Sequence, residues 1–178
     1  PSVDRWLPAE QSKVVLPSRY IIPTAERSGV INNLPEMRLY YFPKPKKGQA
    51  PQMITHPISV GRMDWNTPLG NTKIASKKID PEWRPPESIK KEALADGTVL
   101  PDVIRAGPDN PLGRYAMRLG IPGYLIHSTN KPYGVGMRVT HGCIRMYPED
   151  IEGMFAVIPV GTPVHIVNQP IKLGWMAG

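Results

Sequence analysis

Reactive residue types converge at one place in this chain, Thr140-His141-Gly142-Cys143-Ile144-Arg145-Met146, with Ile126-His127-Ser128 a short way upstream. A thiol attacks as its thiolate, and an unperturbed cysteine with a pKa near ~8.5 is mostly protonated at neutral pH. A nearby imidazole removes this obstacle by taking the proton, and can later return it to a leaving amine. Such an imidazole needs a third group to fix its tautomer. Gly142, directly before Cys143, permits a sharp turn that a Cβ would obstruct. A turn of that kind also presents backbone N–H groups to a developing oxyanion.

Each of these residues has a plainer assignment. Unpaired cysteine is among the most buried residue types and commonly serves as a small core side chain. His127 ends the apolar run Tyr124-Leu125-Ile126, where a histidine bonded to backbone would serve. Ser128 suits a turn and Arg145 a surface charge. Taken together, however, T-H-G-C-I-R does not read as a core strand. His56 precedes a proline at a strand end, and His165 alternates with Val164 and Ile166, so both read as structural. A redox-sensing thiol would lack a second cysteine to resolve it.

The elements that must position these groups come from 178 residues, enough for one domain with a continuous core. The 22 prolines and 16 glycines favour short strands joined by ordered turns. Strands are expected at Val30-Ile31, Met37 to Phe42, Gln52 to Val60, Lys73 to Ser76, Arg114 to Leu119, Gly123 to His127 and Val164 to Val167. One helix fits Ser88 to Ala95, between Pro86 and Gly97. A second opens at Pro148-Glu149-Asp150 and carries Ile151, Met154, Phe155 and Ile158 on one face. Residues 80–111 break the strand pattern yet hold Trp83, Ile89, Leu94, Val99, Leu100 and Val103. They read as an inserted lid-like segment whose apolar side chains cover the sheet beside Cys143.

One cysteine excludes an internal disulfide. With only four histidines besides, neither a metal site nor a cofactor is expected. No stretch approaches the roughly 20 apolar residues of a membrane span. The net charge of +7 favours an anionic partner, but no nucleic-acid motif accompanies it. The chain opens with Pro-Ser and reads as a mature or trimmed fragment without a signal peptide.

The pairing of I-H-S at 126–128 with T-H-G-C-I-R-M at 140–146 resembles the signature of bacterial L,D-transpeptidases, most closely their periplasmic branch with Arg two positions after the cysteine. INNLPEMRLYYFP (31–43), TPLG (67–70), AGPDNPLGRYAMRLG (106–120) and GTPVHIVNQP (161–170) are consistent with it. The resemblance implies a mainly β catalytic domain over residues 29–170, a β-sandwich or barrel with two short helices. Residues 1–28 would be an N-terminal extension and 171–178 a C-terminal tail. In the extension, PSVDRWLP and KVVLPS resemble the end of a lysin-motif (LysM) wall-binding module.

By position, the resemblance makes Cys143 the nucleophile, His127 its base, and Ser128 the residue whose carbonyl orients the imidazole. Gly142 and Cys143 match the oxyanion turn, while His141, Arg145 and Tyr115 match positions lining the substrate groove. It further implies a periplasmic enzyme that cleaves the bond between meso-diaminopimelate and D-alanine in peptidoglycan stem peptides. The acyl group would pass to another stem or to a lysine of an outer-membrane lipoprotein, and carbapenems would acylate the same thiol. Hydrolysis by a cysteine peptidase or amidase, and a non-catalytic wall-binding module, are the competing readings.

Overall fold

The computed structural model describes Lys13 and residues 19–174, and the apolar run Val14-Val15-Leu16 and most of the stretch resembling a LysM end lie outside those residues. In chain order the described elements begin with strands β1 (Gly29–Asn33), β2 (Arg38–Phe42), β3 (Ile54–Pro57), β4 (Val60–Gly61) and β5 (Gly70–Ile79). Helix α1 (Glu87–Ala95) follows, then β6 (Tyr115–Leu119), β7 (Leu125–His127), β8 (Arg138–Thr140), β9 (Ile144–Arg145), helix α2 (Pro148–Val157) and β10 (Pro163–Val167).

Eight strands make one sheet in the order β3-β2-β1-β10-β5-β6-β7-β9, and β4 pairs with β8 beside it. β1 and β2 form an antiparallel hairpin, while β1 and β10 run parallel, with Val30 opposite Val164. Beyond β3 the chain continues through Ile58 to Ser59, which exchanges two backbone hydrogen bonds with Arg145 of β9, at 2.8 and 3.0 Å. The two outer strands of the sheet are thereby brought together, and the sheet curls on itself. Alternate residues such as Val30, Leu39, Ile74, Met117, Ile126 and Val164 point into a single core.

Helix α2 closes that core with Ile151 and Met154, and Ile158 just beyond it is also fully buried. Each such side chain removes enough apolar surface from water to contribute roughly 1.5–3 kcal/mol. Pro148 starts the helix and Glu149 and Asp150 sit at its positive end. At the other end the Lys77 ammonium donates to the carbonyls of Phe155 and Ile158, supplying the cation a helix C-terminus favours. Helix α1 buries none of its residues fully. It ends in a Schellman arrangement, with Gly97 at φ +77° and the N–H groups of Gly97 and Thr98 returning to the carbonyls of Leu94 and Ala93.

Three expectations change. The strand expected over Gln52 to Val60 is two, because the chain leaves β2 after Pro57 and takes β9 and β8 as its next partners. β5 is far longer than Lys73 to Ser76, since a strand exposed along most of its length shows only Ile74 as a fully buried residue. Leu94 and Val99, expected to cover the sheet, are 63% and 81% exposed.

Candidate active site

Positioning starts with two buried isoleucines. Ile126 of β7 stands in parallel register with Ile144 of β9, and the next pair is His127 with Arg145. Cys143 directly precedes β9, so adjacent strands carry the thiol and the imidazole. The thiol is half-buried and donates to the Gly123 carbonyl at 3.6 Å. His127 is almost fully buried, and its Nδ1 donates to the Ser128 carbonyl at 2.5 Å. A carbonyl there requires the proton on Nδ1, which leaves Nε2 as the basic nitrogen. Ser128 is itself buried against Gly113, where a Cβ would lie 2.6 Å from the serine's own.

Burial holds the His127 imidazole down at about 4, and the Arg145 charge adds to this against the backbone acceptors of Ser128 and Leu112. Burial likewise pushes the Cys143 thiol up, opposed by the Leu125 backbone and Arg145. Both shifts favour the uncharged forms of the thiol and the imidazole.

The turn before the thiol is tightly held. Gly142 has φ +98°, and a Cβ there would come within 2.7 Å of the Tyr124 ring, so only glycine fits without movement. The Thr140 carbonyl accepts from the Arg62 N–H at 3.0 Å and the Cys143 carbonyl from the Thr140 hydroxyl at 2.5 Å. Between them, the Gly142 carbonyl accepts from the Thr67 hydroxyl at 2.8 Å. Among the described residues, the N–H groups of Gly142 and Cys143 have no acceptor.

Other expected site residues divide. His141 faces this turn's outer side, bonding Glu92 of α1 through Nε2 at 2.9 Å and meeting the Trp65 ring edge-on at 5.1 Å. Glu92 also accepts from Arg62 at 2.5 Å, and these two partners, Arg62 first, hold its carboxyl below the usual range. Through Glu92 the segment 80–111 does border the thiol's turn. Arg145 lies partly buried near Tyr133, with a buried Nε that has no hydrogen-bond partner. Tyr115 accepts from the Ser128 N–H through its carbonyl at 2.9 Å, while its hydroxyl donates to Glu152 of α2 at 2.7 Å and its ring packs on Phe155. His56 pairs with Asp150 at 2.9 Å and His165 bonds Asn71 at 2.8 Å, both within the scaffold.

Thr67, Glu92, Arg62 and Trp65 were not legible as site residues. TPLG was visible as a motif, but nothing local ties Thr67 to Gly142 across 75 positions of sequence. Among the described residues no cluster of three His, Cys, Asp or Glu side chains could hold a metal, and no helix is long and apolar enough to cross a membrane.

Comparison with known proteins converges on one family. The YkuD family, described as the L,D-transpeptidase catalytic domain, matches residues 27–166. "Probable L,D-transpeptidase YbiS" of Escherichia coli K12 is 41% identical over 173 residues, 97% of this chain and 55% of the relative. "Probable L,D-transpeptidase YcfS" from the same strain is 40% identical, over 97% of this chain and 54% of the relative. The chain thus spans about half the length of the curated relatives it matches. Among solved structures, an L,D-transpeptidase from Mycobacterium smegmatis superposes with a TM-score of 0.56 at 18% identity, covering 79% of this chain and 58% of that one. The likeness at that identity is one of fold.

Proposed function

The chain belongs to the YkuD family of L,D-transpeptidase catalytic domains, and from that premise we propose that it is a cysteine acyltransferase of the bacterial cell wall. Cys143 attacks the carbonyl between meso-diaminopimelate and D-alanine of a peptidoglycan stem. His127 takes the thiol proton on Nε2 and returns it to the departing D-alanine amine, and an amine acceptor then resolves the thioester. The observation that carries this reading is the Nδ1 bond from His127 to the Ser128 carbonyl, on the strand that pairs with the one Cys143 leads into. Gly142 and Cys143 supply the oxyanion N–H groups. Another stem, or a lysine of an outer-membrane lipoprotein, serves as acceptor, and the site of action is the periplasm. Hydrolysis is the competing outcome of the same thioester, and segment 80–111, tied by Glu92 beside the turn, favours transfer by restricting water.

The test is mass analysis of disaccharide-tetrapeptide fragments after incubation with the purified chain. Loss of D-alanine with formation of cross-linked dimers is the expected result. Tripeptide alone would mean hydrolysis, and unchanged fragments would reject this substrate.

In this reading Arg145, partly buried beside the thiol's strand, binds a carboxylate of the stem through its guanidinium. Arg145→Lys keeps the charge near His127 and loses the planar fork. Steady-state kinetics should show kcat/KM reduced about tenfold to a hundredfold, the scale of a hydrogen bond to a charged group. Unaltered kinetics would return Arg145 to a scaffold charge.

A further inference from the structure

Thr67 is buried, at 5% exposure, and its hydroxyl is engaged on both sides. It accepts from the Gly61 N–H at 3.0 Å and donates to the Gly142 carbonyl at 2.8 Å. Gly61 and Gly142 also approach backbone to backbone: a Cβ on Gly61 would lie 3.0 Å from the Gly142 Cα and 2.1 Å from the Trp65 carbonyl. The loop from Gly61 to Thr67 is therefore seated directly against the turn that carries the thiol.

We propose that Thr67 is a positioning residue for the oxyanion site, holding the Gly142–Cys143 peptide so that the Cys143 N–H faces the oxygen that gains charge. The inference rests on Cys143 being the nucleophile. A peptide unit is planar and trans, so its N–H points opposite to its C=O. Fixing the Gly142 carbonyl toward Thr67 turns the Cys143 N–H away from Thr67, where it has no acceptor among the described residues. The following peptide is fixed in the same way, by the Thr140 hydroxyl on the Cys143 carbonyl. Restraint matters most here because Gly142, without a Cβ and at φ +98°, is the residue least able to hold its own conformation.

During acylation the sulfur forms a bond to the carbonyl carbon, the C=O pair moves onto oxygen, and the thiol proton goes to His127. When the tetrahedral intermediate collapses, the carbonyl reforms, the C–N bond breaks and the amine takes that proton. Only the intermediate places a full negative charge where the Cys143 N–H points. A donor contributes most there when it is oriented beforehand.

Two reactions of the same thiol test the role. Carbapenem acylation passes through an oxyanion, whereas iodoacetamide alkylation is a displacement that does not. Thr67→Val keeps the shape and loses the hydroxyl, and Thr67→Ser keeps the hydroxyl. Acylation of Thr67→Val should fall about tenfold to a hundredfold, less than the ~10²- to 10³-fold that outright loss of an oxyanion donor brings, because the N–H is retained and only its restraint is lost. Its alkylation should stay within about twofold of wild type, and Thr67→Ser should restore most of the acylation. If Thr67→Val does not fold, the ratio of the two rates in Thr67→Ala decides instead. Unchanged acylation, equal loss of both rates, or no rescue by serine would overturn the inference while leaving Cys143 as nucleophile. A wild-type carbapenem adduct that maps away from Cys143 would remove the parent reading as well.

Discussion

Cys143→Ala is expected to abolish both turnover and covalent labelling while the fold stays intact. The thiol donates weakly to the Gly123 carbonyl at 3.6 Å, from a half-buried position. The contacts that shape its turn, from Thr67 and Thr140, run through backbone carbonyls that alanine retains. The change in stability should therefore be within about 1 kcal/mol, as for substitutions outside the packed core. No other residue in the chain offers a thiol, so no alternative thioester can form. Mass spectrometry after exposure to a carbapenem should add one inhibitor mass to the wild type and none to the variant. An adduct on Cys143→Ala would assign the chemistry to another residue.

His127→Ala should slow acylation by about 10²- to 10⁴-fold, the range of general acid–base catalysis. His165→Ala, which loses a bond to Asn71 in the scaffold, should leave the rate nearly unchanged. Equal losses from the two would mean that His127 acts through stability. pH separates these cases further. A base held at about 4 stays neutral through mildly acidic solution, so the acid limb of kcat/KM should lie near pH 4 and not near 6.5. Stability follows the same group. The unfolded histidine takes up a proton from about pH 6.5 downward and the folded one does so only near 4, so its contribution is present above that window and lost as pH falls through it. A thermal-melting series from pH 7 to 4 should show this extra acid sensitivity in the wild type and less of it in His127→Ala.

How much of this was legible depends on whether the determining contact is local. His127 and Cys143 stood out because their chemistry lies in two short segments, and a buried isoleucine in each sets the register between them. β1, β2, β6 and α2 were readable from apolar periodicity. Of β5 only Lys73 to Ser76 was readable, because Lys73, Ser76 and Lys78 are exposed on it and break the apolar pattern. β8 and β9 hold three and two residues and gain their strand character from partners, not from pattern. Tyr115, inside the resembling stretch 106–120, shows what a stretch of sequence does not give: which neighbour its hydroxyl meets, here Glu152 of α2. Segment 80–111 reaches the thiol's turn through the polar contact of Glu92 with His141. Of the apolar side chains expected to cover the sheet, Leu94 and Val99 are exposed and Trp83, Ile89, Leu100 and Val103 are half-buried.

β10 is the last of the described strands in chain order. It lies between β1 and β5 and joins the β3-β2-β1 part of the sheet to the β5-β6-β7-β9 part, whose far edges meet again at Ser59 and Arg145. Pairings so distant in sequence form late, because loop closure opposes them until many contacts form together. A nascent chain that has emerged only as far as α2 holds Cys143 and His127 already, yet β1 and β5 still lack the strand that stands between them. Synthesis of those five residues thus closes the last gap in the frame on which the thiol and the imidazole stand.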